Sequence, residues 1–414
     1  LARFADVRGI RIEDDVLCTA GEPRVLTAAC PKSAAAIEDL ETDLAHAADD
    51  DDAPEPPPPS FSREEFLEWR SPRLGAANPE RLTNPVWTWI VQAGVSAWAV
   101  NDRFAGPSAL GAGPGWCFER FGCSSTELPD GRVIHVAGEH EDYYDPDFFI
   151  YNDVVVRHPD GRVEIFGYPR EVFPPTDFHS ATRIGDRIVL IGSVGYVGAR
   201  RPGHTQVLAL DLATFAISTI ATGGEPPGWI SRHTATRTDD GRAIVVQRGK
   251  LELGEGRSLV ENIDDWRLDL ETWQWQRLTD RRWPRRELGR ADAQRNHLWE
   301  LQQACWYREV GWADPLAQQL ERLQAALGEP PDLDLAARLF RPSVAHEALP
   351  EDGDAYNTRR VLVDGVVVRF IDNGYSLQMT VEGDLPASTV DAIAEQLREK
   401  LSAIERTPYT SRTL

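Results

Sequence analysis

The sequence predicts a mainly β protein with helical additions, and three observations carry that prediction. A unit recurs three times between Cys117 and Arg277, with matching positions Cys123, Ser180 and Thr234 lying 57 and 54 residues apart. Within each unit, β-branched runs alternate with Asp-Gly or Gly-Asp turns, the punctuation of antiparallel hairpins. Outside the units the pattern changes to helical stripes and one short meander. A period of about 50 residues built from short strands denotes stacked four-stranded blades rather than one compact sheet.

The units read alike. A short polar-to-small strand runs into Pro129-Asp-Gly131, Gly185-Asp186 or Asp239-Asp-Gly241, where positive φ is cheap. The apolar runs Val133-Ile-His-Val136, Ile188-Val-Leu-Ile191 and Ile244-Val-Val246 follow, as expected of strands buried on both faces. After a long loop come third strands at Asp153-Val-Val-Val156, Gln206-Val-Leu-Ala-Leu210 and Asp264-Asp-Trp-Arg-Leu268. The turns His158-Pro-Asp-Gly161, Asp211-Leu-Ala-Thr214 and Asp269-Leu-Glu-Thr272 lead to fourth strands.

This pattern resembles the kelch repeat of β-propellers over residues 116–280, as three degenerate repeats. The resemblance rests on His-Ser/Thr-Ala at 179 and 233, the apolar strand ending in Gly, and Asp-Leu-x-Thr-Phe/Trp at 211 and 269. It implies three kelch-like β-propeller blades. The sequence departs from the family where a Gly pair follows the second strand: Ala137-Gly138, Gly192-Ser193 and Arg248-Gly249 each keep one Gly. An ordinary β-sandwich is the rival architecture. Closed propellers take about four to eight blades. Three blades leave three solutions open: completion within the chain by strands from both ends, which is favoured, with Ile10-Arg-Ile-Glu and Arg24-Val-Leu-Thr at one end and the 359–381 meander at the other; a ring shared by two chains; or a capped open arc.

The flanks divide the chain. Residues 1–60 hold short strands at Ile10-Arg-Ile-Glu and Arg24-Val-Leu-Thr, a helix from Ser33 to Ala47, and the linker Asp49-Asp-Asp-Asp-Ala-Pro-Glu-Pro-Pro-Pro-Pro59. Residues 61–115 form a helical segment expected to pack on the blades, with a capping box at Ser62-Arg-Glu-Glu65 and a Trp-rich helix over 86–100. Blades occupy 116–284 and a second helical segment 285–330, whose stripe includes Leu316, Leu320, Leu323 and Leu327; helices of both segments are expected to embrace the blades. A small C-terminal α/β meander fills 331–414: strands on either side of Asp364-Gly365 and after Asn373-Gly374, then an amphipathic helix from Ser388.

Composition narrows the function classes. The net charge of −22 argues against a phosphate-backbone partner. The strongest basic cluster, Arg277 through Arg290 around Trp283, is expected to face acid within the protein. No run approaches the 18–20 apolar residues of a membrane span, and Leu1-Ala-Arg-Phe shows no basic-then-apolar leader. Five cysteines at irregular spacing point away from a disulfide framework and toward a reducing, cytoplasmic setting.

Candidate chemistry is sparse. The loop Gly138-Glu-His-Glu-Asp-Tyr-Tyr-Asp-Pro-Asp-Phe-Phe149 groups Glu139, His140 and Glu141 as possible ligands of a divalent metal, with a solvated acidic loop as the alternative. His179 and His233 occupy the same place in successive units; converging imidazoles hold metals, and the alternative is packing and hydrogen bonding. No cofactor is otherwise expected. Nucleophile-elbow, phosphate-loop and His-Glu-x-x-His signatures are missing from the sequence. What remains is a loop face, where Tyr196, Arg200, Arg201, Trp229 and Arg232 are the expected ligand-binding residues. The expected function is a non-enzymatic recognition or scaffold protein with a protein partner and the capacity to form a homodimer. The alternatives are a metal-dependent enzyme and a carbohydrate-binding module stacking sugar on exposed Trp229 and Tyr196.

Overall fold

The computed structural model describes residues 59–140, 148–254, 259–350 and 358–414, and an isolated hairpin pairing Val16–Leu17 with Arg24–Val25. The chain forms two units, Leu1–Pro59 and Ser60–Leu414. The expected strand at 10–13 and helix at 33–47 lie outside the described residues. The second unit is mainly β, with antiparallel sheets and helices at its flanks.

Three four-stranded antiparallel sheets succeed one another where the repeats predict them. The first pairs Ser124–Glu127, Val133–Val136, Asp153–Arg157 and Val163–Gly167 in sequential order. The second pairs Ser180–Ile184, Arg187–Ile191, Val207–Asp211 and Ile217–Thr219 in the same order. The third pairs Thr234–Arg237, Ala243–Gln247, Trp266–Asp269 and Gln274–Arg277. Two-residue strands cover two outer edges: Glu80–Arg81 pairs with the fourth strand of the first sheet, and Gly223–Gly224 runs parallel to that of the third. Each covers only part of its edge strand and so shortens the edge left open to further pairing.

The sheets stack through alternating side chains. Ile134, Val136, Val154 and Val156 of the first meet Ile188, Leu190, Leu208 and Leu210 of the second in one core. Val189, Ile191 and Val207 of the second meet Ile244, Val246, Trp266 and Leu268 of the third in another. Residues 188–191 are therefore buried on both faces, as their unbroken apolar run requires.

Helices close the other face of the first sheet. Ser62 caps α1 (Arg63–Trp69) through a reciprocal box with Glu65. Asn84 caps α2 (Pro85–Ala93), and Pro85 occupies its first turn. Trp87, Trp89 and Ile90 pack with Tyr151, Val155 and Ile165. The expected single helix over 86–100 is two, because Gly94 turns left-handed (φ 63°) and Ser96 starts α3 (Ala97–Arg103).

The C-terminal part differs from expectation in two ways. Residues 285–290, assigned to a helical segment, form a strand between Ser376–Val381 and Tyr409–Thr413. The meander 358–381 thus builds a six-stranded sheet of its own and, among the described residues, pairs with none of the three repeat sheets, so it does not complete a ring with them. The helices α4 (Leu298–Val310) and α5 (Ala313–Leu327) pack with α6 (Ala387–Ile404) on that sheet, through Leu301, Leu323, Phe370, Met379, Leu397 and Leu401, rather than on the repeats. Asp364 and Gly365 both take positive φ, the type I′ turn their sequence demands. Among the described residues, the sheets close no ring and no helix is long and apolar enough to cross a membrane.

Candidate functional site

The three sheets repeat one junction at their first strands. Gly122, Phe178 and Arg232 precede those strands, all with positive φ (63°, 47° and 54°). Phe178 N donates to Gly122 O and Arg232 N to Phe178 O, both at 2.8 Å. One residue on, His179 Nε2 lies 2.8 Å from Ser124 Oγ of the sheet before it, and His233 Nε2 lies 2.8 Å from Ser180 Oγ. Burial holds both imidazoles neutral, at about 4 for His179 and about 3 for His233. Each histidine is committed to a serine across a sheet junction. Where the Gly pair is broken, Ala137 (φ 53°) and Arg248 (φ 58°) keep the left-handed backbone of the missing glycine.

Among the described residues, the expected metal ligands do not gather into a site. His140 Nδ1 lies 3.2 Å from Glu119 O, Glu139 pairs with Ile150 in a two-stranded ribbon, and Glu141 is outside the described residues. Among the described residues, no group of three or more His, Cys, Asp or Glu is placed to hold a metal ion.

The loop-face residues separate. Trp229 is only 6% exposed and donates its indole N–H to Val194 O at 3.0 Å, which removes the stacking surface a sugar would need. Tyr196 packs edge-on against Phe148, and its hydroxyl accepts from Ile150 N at 3.0 Å. Arg200 turns inward to Val194 O and to Glu252 at 3.3 Å. Arg201 is exposed. Arg232 lays its guanidinium 3.3 Å over the Phe178 ring. Of the five, Arg200 and Arg232 also line a large cleft.

That cleft, of about 1470 Å³, opens between the third sheet and the C-terminal sheet. One wall is the third sheet at Thr234, Gln247 and Arg248, continued by a ribbon that pairs Trp229–Ser231 with Lys250–Glu252 and the latter with Val260–Glu261. The facing wall is the meander, at Arg360, Arg369 and 371–375. Trp283 and the start of α4, with Trp299, complete the lining.

Glu261 is the seam between the walls. Its carboxylate accepts from Thr380 Oγ1 at 3.1 Å and pairs with Arg369 at 3.2 Å, while its carbonyl accepts from Arg285 at 2.9 Å. Gln378 bridges the same seam, accepting from Glu261 N and donating to Leu259 O. The Arg277–Arg290 cluster faces acid, as expected: Arg277 pairs with Asp264 at 2.5 Å, and Arg281 holds Asp265 with two contacts of 3.0 Å.

The cleft reverses the charge of the molecule. Arg200, Arg232, Arg248 and Lys250 line it on the repeat side, and Arg281, Arg295, Arg360 and Arg369 elsewhere. Only four acids join them: Glu261, Asp265, Asp372 and Glu382. The whole chain has 44 basic residues against 66 acidic ones. Burial raises the Asp372 carboxyl above its usual range although Asn296 Nδ2 and Gly374 N donate to it. Sequence reasoning misses Lys250, Arg360 and Arg369, because they come together only when the meander docks on the third sheet.

No family model matches the chain, and no curated protein does. A solved structure titled "Structure of YjhT" is similar at 13% identity over 41% of this chain, with a TM-score of 0.30. The aligned part spans about half (53%) of that protein.

Proposed function

We propose that this chain is a non-enzymatic recognition protein, an arc of three kelch-type blades whose ligand site is the cleft against the C-terminal sheet. The ligand that fits is an acidic segment of a protein partner. The repeated Ser–His junction and the left-handed residues at matched places support the blade assignment. The observation that carries the ligand class is the charge reversal: eight basic side chains against four acids, in a chain of net charge −22. A low-dielectric cleft focuses such a field and draws in the opposite charge. Its volume of about 1470 Å³ exceeds the roughly 300–1,000 Å³ of small-ligand clefts, which favours a stretch of chain. Trp283, Trp299 and Tyr375 add amphipathic surface for backbone and side-chain stems.

Fluorescence anisotropy with short labelled oligoglutamate and oligolysine peptides tests this. Oligoglutamate should bind, more weakly as salt rises. Reversing Arg295 and Arg360 together (R295E/R360E) should cost about tenfold or more in affinity, about 1.4 kcal/mol. Equal binding of the two peptides, or no oligoglutamate binding at low salt, rejects the proposal.

A further inference from the structure

Lys250 is one of only three lysines among the 44 basic residues of the chain. Arginine serves everywhere else except at Lys32 and Lys400. Lys400 serves the fold, since its Nζ donates to the carbonyls of Arg338, Leu339 and Arg341, at the end of a short helix. Lys250 stands instead in the cleft wall, half-buried, on the ribbon strand between Ser231 and Glu261. The charged groups acting on it are the guanidiniums of Arg232 and Arg369 and the carboxyls of Glu261 and Asp372. A guanidinium never loses its proton in a protein, whereas an amine placed beside other cations does. An amine in the cleft wall, in a chain that uses arginine at all but three of its basic positions, supplies a nucleophile as well as a charge.

We propose that Lys250 is a nucleophilic amine that acyl phosphates acylate, and that this modification tunes the anion-binding cleft. The tuning rests on the cleft being the site for an acidic segment; the reactivity does not. The neutral Nζ attacks the acyl carbonyl carbon and a C–N bond forms. The bond from that carbon to the phosphate oxygen breaks, and the departing phosphate takes the electron pair and the proton lost by nitrogen. The products are an amide and inorganic phosphate. Arg232 and Arg369 supply the cations for the phosphoryl group, which guanidinium recognises well. Burial, which lowers the amine's pKa, is reinforced by the two arginines against the pull of Glu261 and Asp372. The same neighbours select acylation over imine formation. An imine regains a proton beside two guanidiniums, whereas an amide removes the repelled charge for good.

The test uses the full chain with acetyl phosphate, near neutral pH, and peptide mapping by mass spectrometry. Lys250 should acetylate at least several-fold faster in the native protein than in urea, and inorganic phosphate should slow it. A lysine that is merely buried would react more slowly in the native protein, and that result overturns the proposal. So does native acetylation that phosphate leaves unchanged. Acetylated protein and K250Q should both bind oligoglutamate several-fold more weakly than untreated protein, whereas affinity of K250R should not respond to acetyl phosphate. Selective acetylation with unaltered oligoglutamate affinity would overturn the tuning alone. Selective acetylation of a protein that never binds oligoglutamate would leave the reactive amine standing and remove the acidic-segment ligand together with its tuning.

Discussion

The paired histidines make stability depend on pH with a definite sign. His179 and His233 titrate at about 4 and about 3 in the folded protein, depressed by burial from an ordinary 6.5. Below pH 6.5 the unfolded chain binds their protons and the folded one does not, so stability falls as pH falls and continues to fall until the folded values are reached. At 1.36 kcal/mol per unit, lowering the pH from about 7.5 to about 5 removes about 2 kcal/mol per histidine, or about 4 for the pair. The half-buried His135, itself lowered to about 4, adds to the loss below neutral pH. The informative quantity is therefore the difference from H179Q/H233Q, whose amides reach Ser124 and Ser180 without titrating. Urea unfolding at both pH values should show the wild type losing about 4 kcal/mol more than the variant. A difference under about 1 kcal/mol would mean that the imidazoles are protonated or solvated in the folded state, and the two-junction account would fail.

Three further outcomes follow from packing and backbone. Arg120 and Asp153 form a buried bidentate pair (2.5 and 3.0 Å), with Trp116 Nε1 donating to the same carboxylate, so R120M should cost about 3–5 kcal/mol in urea unfolding. R120M/D153L should recover most of that loss, and a double variant as costly as the two single changes together would count against an uncompensated charge as the cause. Gly192 has φ 76°, and a Cβ there would lie 2.2 Å from Ile230 O, so G192A should destabilise by more than the ~1 kcal/mol of left-handed strain alone. A137G should be neutral to stabilising by up to about 1 kcal/mol, since Ala137 already sits at φ 53°; a loss beyond about 1 kcal/mol in thermal unfolding would contradict this.

What can be read in the sequence is what local rules determine. The three sheets follow from β-branched runs bounded by turn residues. The turn Asp211-Leu-Ala-Thr214 declares itself because one carboxylate accepts from Ala213 N, Thr214 N and Thr214 Oγ1, and Asp269 repeats the set with Glu271 and Thr272. The strand at 285–290 is hidden because Arg285-Arg-Glu-Leu-Gly-Arg290 has one apolar side chain, Leu288, and gains its place by pairing on both sides. Trp229 reads as a surface residue because a Pro-Gly-Trp loop looks exposed; only the Val194 carbonyl across the junction reveals a buried indole. The cleft is illegible for a similar reason. Its lining comes from segments up to 182 residues apart, Arg200 and Glu382 being the extremes. The rarity of lysine is the one sequence signal that could lead to Lys250.

The end of the stack at the third sheet also has a cause in the sequence. Ile188 to Ile191 are buried without exception, because that strand carries apolar groups to both neighbours. In the third sheet Ile244 and Val246 face the second, while the alternate positions are Ala243, half-buried Val245 and exposed Gln247. Half-buried Arg267 and exposed Gln276 pair across the adjacent strands of the same sheet. A face so polar does not bury enough apolar surface to stack a fourth repeat sheet directly against it. At the other end of the stack, α1 and α2 already cover the first sheet. A second copy completing the ring would have to displace those helices or bury the polar face and part of the charged cleft. The full chain should therefore scatter light as a monomer of 46.2 kDa across the accessible concentration range. A concentration-dependent dimer that R267E abolishes would place an interface on the polar face and overturn the account of why the stack ends there.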